Sequence, residues 1–281
     1  MIVVTGASGN VGRPLVEALA AAGEKVTAVS RTPLPHALPA DARHVRADLA
    51  EPTGLRPAVD GADALFLLLA GDMLGGGPAA ADLLDVALSG GVRRVVLLSS
   101  QAAGTRPDAV SHARLREFED AVRSSGARWT VLRPGGFASN AYAWAETVRT
   151  RRTVIAPFGD VALPVVDPAD IAEVAAVALR EDGHAGRTYE LTGPVAVTPR
   201  DQAAALGEAL GEEIHFVDLP RERARQQMLR LMPEPVADGT LDILGEPLPT
   251  ERRVSPDIEK ILGRPAGPFT QWATRHAGAF K

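Results

Sequence analysis

Short apolar runs recur along this chain with amphipathic segments of helical period between them. Met1 to Val4 is followed by a helix over Arg13 to Ala22, then by apolar runs at Val26 to Ser30, His44 to Arg46 and Ala64 to Ala70. A helix over Ala79 to Ser89, a strand over Arg94 to Ser99, a helix over Ala113 to Ser124 with Gly126 just after it, and a strand over Trp129 to Leu132 continue the alternation. The strands are apolar at nearly every position, as strands covered on both faces must be. Strand and helix in strict alternation predict an α/β fold with a doubly wound parallel sheet. From Arg133 to Leu163 the pattern is irregular; Asp167 to Leu179 is again helical behind an Asp-Pro start, and Thr188 to Leu191 is a late strand. Beyond Thr198 a helix (Pro199 to Leu210), a short strand (His215 to Val217) and several helices broken by prolines predict a smaller α+β lobe. There is no internal repeat and no low-complexity linker, so the two lobes are expected to interleave, with a cleft between them.

The most informative stretch is Thr5-Gly6-Ala7-Ser8-Gly9-Asn10-Val11-Gly12, because it stands between the first strand and the first helix. That order is the phosphate grip of a Rossmann-type dinucleotide fold. Gly6 allows a tight turn out of the strand, Gly9 lets backbone N–H groups approach a pyrophosphate, and Gly12 lets helix and strand pack closely. The helix N-terminus adds positive partial charge, so Gly6, Ser8, Gly9, Asn10, Val11 and Gly12 are the expected phosphate contacts. The second strand ends in Ser30-Arg31-Thr32 with no carboxylate to bind a ribose 2′-hydroxyl. Arg31 can pair with a 2′-phosphate through its planar fork, so NADPH is expected in preference to NAD. Asp48 and Leu49 follow the third strand, where they either contact adenine or form a turn. Leu69 and Ala70 at the end of the fourth strand and Ser99 at the end of the fifth complete the expected cofactor line. Ser100 and Gln101 lie where open parallel sheets place their ligands; they either bond a substrate carbonyl or cap the loop.

Composition removes several alternatives. The chain has 281 residues and 46% hydrophobic content, enough for one large domain or a domain with a lobe. The expected division is a Rossmann domain over 1–133, completed by about 165–195, and a substrate lobe formed by 134–164 and 196–281. No apolar run approaches the roughly 18 residues of a membrane helix, and the N-terminus enters a strand directly, so a cytoplasmic protein without membrane attachment is expected. A net charge of −5 argues against nucleic-acid binding. With no cysteine, and histidines scattered at 36, 44, 112, 184, 215 and 276, no metal is expected. The remaining partner is an apolar small molecule, handled by a monomer or homodimer. Lysine occurs only at Lys25, Lys260 and Lys281.

The glycine motif, Leu98-Ser99-Ser100, Leu132-Arg133-Pro134-Gly135-Gly136-Phe137 with Asn140, and Val166-Asp167-Pro168-Ala169-Asp170-Ile171-Ala172 occur in an order and spacing that resembles the NmrA-like branch of the atypical short-chain dehydrogenase/reductases. That branch contains NADPH-dependent quinone oxidoreductases and redox sensors. The resemblance runs from residue 1 to about 195, with later echoes at Tyr189 to Pro194 and at Phe269 to Phe280. It implies a Rossmann domain with a small C-terminal substrate lobe and NADP across the strand ends, with Pro134 and Phe137 near the nicotinamide.

The chain departs from the wider family at its catalytic tyrosine and lysine, four residues apart. With Glu119 set on the glutamate that usually follows that lysine by four residues, Leu115 takes the lysine position and Ser111 the tyrosine position. Neither side chain can tune or donate a phenolic proton. No shift of alignment restores the pair, because the only tyrosines are Tyr142 and Tyr189 and no lysine lies between Lys25 and Lys260. His112 and Arg116 have the same spacing one residue later; they either form a substitute, with His112 as proton donor and Arg116 on the ribose or phosphate, or belong to a solvated helix face. Phe137, Asn140, Tyr142, Trp144 and Phe158 gather in the irregular segment, as a lid over a flat substrate or as lobe core. Asp167 and Asp170 are expected to begin and cap the following helix. The function expected is NADPH-dependent hydride transfer to a quinone, enone or similar electron-poor apolar compound. A non-catalytic redox sensor and a non-redox isomerase or cyclase are the alternatives on the same scaffold.

Overall fold

The computed structural model describes residues 1–34, 37–69 and 71–281. Among the described residues nine strands form: β1 (Ile2–Thr5), β2 (Val26–Ser30), β3 (Ala42–Arg46), β4 (Ala64–Leu68), β5 (Arg94–Leu98), β6 (Arg128–Pro134), β7 (Thr153–Ala156), β8 (Arg187–Leu191) and β9 (His215–Asp218). The helices among the described residues are α1 (Gly12–Ala21), α2 (Arg56–Val59), α3 (Ala80–Ser89), α4 (Gln101–Thr105), α5 (Ala113–Ser124), α6 (Ala145–Arg151), α7 (Pro168–Arg180), α8 (Pro199–Leu210), α9 (Arg221–Met228), α10 (Glu234–Gly245), α11 (Asp257–Leu262) and α12 (Phe269–His276). They fall into two compact units. The first comprises Met1–Ala103, His112–Pro134 and Pro168–Glu190; the second comprises Gly104–Ser111, Gly135–Asp167 and Leu191–Lys281.

The first unit is built on a seven-stranded sheet in the order β3-β2-β1-β4-β5-β6-β8. Pairing from β3 through β6 is parallel, with Ile2 opposite both Val26 and Ala64, and Leu98 opposite both Leu68 and Leu132. The order reverses between β1 and β4, which is where such sheets open a crevice at their carboxyl edge. Val3, Leu65, Leu67, Val95 and Leu97 share one buried cluster with Leu83 of α3 and with Phe118 and Val122 of α5. On the helices α1 and α7, which pack together, Leu15, Leu19, Ile171 and Val174 are buried. Each such side chain contributes roughly 1.5–3 kcal/mol through burial, so the carboxyl edge is mounted on a rigid layer.

The second unit has its own core of Val148, Val154, Leu206, Phe269, Trp272 and Phe280. Its start signals are local. Thr198 caps α8 by accepting the Asp201 N–H at 3.0 Å while the Asp201 carboxylate accepts the Thr198 N–H at 2.9 Å, a reciprocal pair worth about 1 kcal/mol. Pro199 opens the helix and Gly211, with φ +69°, ends it.

Several expectations need correction. The stretch read as irregular, Arg133 to Leu163, holds the end of β6, a 3-10 turn over Ala138–Trp144, α6 and β7. Strand β7 was illegible because it pairs only with the distant β9, in a separate two-stranded parallel sheet. The fourth strand stops at Leu68, the last residue paired with β5, rather than running to Ala70, which lies outside the described residues. The short helices α2 and α4 lack the length that gives a readable period.

Candidate functional site

The turn between β1 and α1 is shaped by two glycines. Gly6 has φ +64°, a left-handed conformation, and its carbonyl accepts the Gly9 N–H at 2.9 Å. A Cβ on Gly12 would collide with the Gly6 carbonyl oxygen and lie 2.9 Å from the Ala7 Cα, so only glycine lets α1 begin there. The Gly9 and Val11 carbonyls accept the Arg13 and Leu15 N–H groups. Among the described residues the N–H groups of Ser8, Val11 and Gly12 find no acceptor within the chain, although Val11 and Gly12 are buried. Buried backbone donors are rarely left unpaired, and the α1 dipole favours an anion at the same place. The cradle therefore fits the diphosphate of a nicotinamide dinucleotide.

Two side chains fix the edges of this cradle. Thr5, at the end of β1, accepts the Leu68 N–H at 2.8 Å and donates to the Phe66 carbonyl at 3.0 Å, stitching β1 to β4 where the strand order reverses. At the end of β2, Ser30 donates to the Thr32 carbonyl at 2.6 Å, so its 2.8 Å contact with His44 Nε2 is one in which the imidazole donates. Arg46 Nε donates to the Arg31 carbonyl at 2.9 Å, leaving the exposed Arg31 side chain on a braced loop. Asp48 uses its side chain to accept the Ala50 N–H at 3.0 Å, a turn-forming bond. Leu49 packs half-buried against the core, and Leu69 lies within it.

The end of β5 carries a feature that sequence reasoning missed. Glu119 of α5 is 1% exposed, yet it is a carboxylate. It accepts from Ser99 Oγ at 2.6 Å, from Arg133 at 2.9 and 2.6 Å, and from Arg123 at 2.8 Å. Burial pushes this carboxyl up, but the bonds from Arg133 and Ser99, the Arg133 charge and the Arg123 bond outweigh it and hold it below the ordinary carboxylate range. The signal was present in the order Ser99, Glu119, Arg133, but nothing local announces that three elements meet. Beside it, Ser100 Oγ accepts the Ala102 N–H at 3.3 Å, and among the described residues its own proton has no acceptor in the chain. Gln101 is buried at the start of α4.

His112 occupies the N-cap position of α5 without capping it, and both His112 and Arg116 are half-buried. Leu115 points into the core, so an apolar side chain occupies the helix position between them. Pro134 is buried at the end of β6.

In the second unit Phe137 forms a backbone bridge with Val166, and Asn140 is exposed. Tyr142 packs in the core, edge-on to Trp272 with ring centroids 5.1 Å apart, and its hydroxyl lies 2.8 Å from His276 Nδ1. Trp144 borders the same core. Phe158 adopts φ +58°, and its ring seats on Gly245, where a Cβ would lie 2.7 Å from it. Asp167 pairs with Arg275 of α12, and Asp170 stands in the first turn of α7. Among the described residues no cluster of histidine and carboxylate side chains is suited to a metal, and no helix is long and apolar enough to cross a membrane.

Residues 6–182 match the family described as NAD(P)H-binding. The chain is 37% identical, over its whole length and 99% of the relative's, to a (4-alkanoyl-5-oxo-2,5-dihydrofuran-3-yl)methyl phosphate reductase of Streptomyces griseus. It is 34% identical, with the same coverage, to an NAD(P)H azoreductase of Xenophilus azovorans. Among solved structures, an NADPH-dependent quinone oxidoreductase of Escherichia coli in complex with NADPH superimposes with a TM-score of 0.79 at 25% identity, covering 98% of this chain and 99% of the other.

Proposed function

The chain belongs to the NAD(P)H-binding family and is an NAD(P)H-dependent oxidoreductase; from that premise we propose that it stands in the NmrA-like branch of the atypical short-chain dehydrogenase/reductases and reduces an electron-poor, apolar π-system such as a quinone or enone, with NADPH preferred over NADH. The observation that carries this reading is Leu115. It buries an apolar side chain where the family's lysine is expected, so no cation stands there to activate a phenol. An acceptor reduced without that pair must stabilise added electron density through its own conjugation. Relatives named for an azo compound and for a phosphorylated dihydrofuranone bearing two carbonyl groups support a conjugated, electron-poor acceptor.

When bound, the dihydronicotinamide supplies the hydride. The chain's own residues hold, orient and shield. The Ser8, Val11 and Gly12 amides bind the diphosphate and Arg31 takes the 2′-phosphate. Gly6, Gly9, Asn10, Asp48, Leu49, Leu69, Ser99, Arg116 and Pro134 complete the cofactor contacts. Ser100, whose hydroxyl proton is uncommitted, donates to the acceptor's carbonyl oxygen, with Gln101 beside it. His112 is the group that donates the proton taken up by the reduced acceptor. Catalysis then rests on positioning and water exclusion rather than on a strong acid.

The test is absorbance at 340 nm with NADPH and a panel of quinones, enones, azo compounds and simple ketones. Oxidation of NADPH by conjugated acceptors and not by simple ketones is expected. Tight NADPH binding without turnover of any conjugated acceptor would overturn the proposal.

A further inference from the structure

The carboxyl end of β5 presents two serines in opposite hydrogen-bonding states. Ser99 is 7% exposed and its hydroxyl lies 2.6 Å from Glu119 Oε1. Glu119 already receives three guanidinium N–H groups from Arg123 and Arg133, so it is a carboxylate and only accepts. The Ser99 proton must therefore point at Glu119. Among the described residues nothing donates to the Ser99 oxygen, which leaves a nearly buried acceptor unfilled at the edge where the sheet binds its ligand. Ser100 is the reverse: its oxygen takes the Ala102 N–H and its proton remains available.

Resting on the dinucleotide reading above, we infer that Glu119 is a positioning residue: by taking the Ser99 proton it fixes Ser99 as a pure acceptor for the carboxamide N–H of the nicotinamide, and so sets which way the ring is held. The adenosine half belongs to the β1–β2 side, where Arg31 stands, so the nicotinamide half falls on the β4–β5 side, where Ser99 stands. An amide N–H is the donor that half of the cofactor offers to a side-chain oxygen. Arg133 and Arg123 serve the same end, because without them a carboxylate this buried would take up a proton and could donate to Ser99 instead. The arrangement also removes Ser99 as a donor to any substrate carbonyl, a role that then falls to Ser100.

The probe is the 3-acetylpyridine analogue of NADP⁺, in which a methyl ketone replaces the carboxamide and the N–H donor is gone. Kd values for NADP⁺ and the analogue are measured by calorimetry on wild-type protein, Ser99→Ala and Glu119→Gln. Wild-type protein is expected to favour NADP⁺ by about fivefold to tenfold, the effect of one hydrogen bond. In Ser99→Ala and Glu119→Gln the ratio is expected to fall to within about twofold, since neither retains an oriented acceptor. General damage to the fold weakens both ligands alike and leaves the ratio unmoved. Should Glu119→Gln not fold, Ser99→Ala decides alone. An unchanged ratio in Ser99→Ala overturns the inference while leaving the cofactor assignment intact, whereas failure of wild-type protein to bind either dinucleotide overturns the assignment beneath it.

Discussion

Arg106 and Glu251 form a two-pronged ion pair inside the second unit: Arg106 Nε reaches Oε1 at 2.8 Å and its Nη2 reaches Oε2 at 2.9 Å, while Glu251 is 2% exposed. Thr105 and the Leu248 N–H, each at 2.8 Å, fill the remaining carboxylate positions. Burial raises the Glu251 carboxyl, but the Arg106 bond, the Leu248 and Thr105 bonds and the Arg106 charge prevail, holding it below its ordinary range. The pair fastens the segment 104–111, which immediately precedes His112, to the chain beyond α10.

Breaking that pair from one side strands a charge. Arg106→Met is expected to cost about 3 kcal/mol or more in urea denaturation, because the Glu251 carboxylate loses its compensation. The double variant Arg106→Met/Glu251→Met should regain much of the loss. Equal stability of the single and double variants would show that the two side chains are not coupled.

At Gly12 the geometry forbids a side chain. Gly12→Ala is expected to lower stability by roughly 1–3 kcal/mol as the α1 start is pushed off the turn. It should also weaken NADP⁺ binding by at least about tenfold, since the amide cradle opens. Melting curves with and without nucleotide check both effects; an unshifted melt and intact affinity would contradict the close approach.

His276 gives a pH dependence of known sign. Burial and the Arg275 charge lower its pKa below 6.5, with Asp167 opposing them. The unfolded chain then binds the proton first, so stability is full above the unfolded pKa and falls as the pH drops through the window below about 6.5. Protonation also commits Nδ1 to donating toward the Tyr142 hydroxyl. His276→Phe should flatten the stability profile between pH 7.5 and 5.5; a profile as steep as that of the wild type would assign the effect elsewhere.

Arg31 stands on a loop braced by Arg46 and Ser30 without a carboxylate at the strand end. Arg31→Asp is expected to shift the ratio of kcat/KM for NADPH over NADH toward NADH by about tenfold or more, as a bidentate phosphate pair is replaced by repulsion. Steady-state kinetics with both coenzymes measures this. Retention of the wild-type ratio would move the 2′-phosphate contact away from Arg31.

The parallel sheet and the glycine turn were legible in the chain because both are written in local terms. A strand covered on both faces shows as an apolar run, and Gly6 and Gly12 stand where a turn and a close contact admit no side chain. Helices α5 and α8 were read to the residue, the second because Thr198, Pro199 and Gly211 mark its ends. What the linear order of residues could not announce depends on meetings across the fold. Glu119 reads as one more charge on a polar helix until Ser99, 20 positions earlier, and Arg133, 14 later, converge on it. β7 exists only because β9 lies beside it. Tyr142, equally suited by its chemistry to a lid or a core, packs against Trp272 and His276. Hydrophobic period and backbone sterics act over a few residues and survive in the sequence; burial of a charge and the choice of its partners are set by packing between distant segments, and only the folded chain decides them.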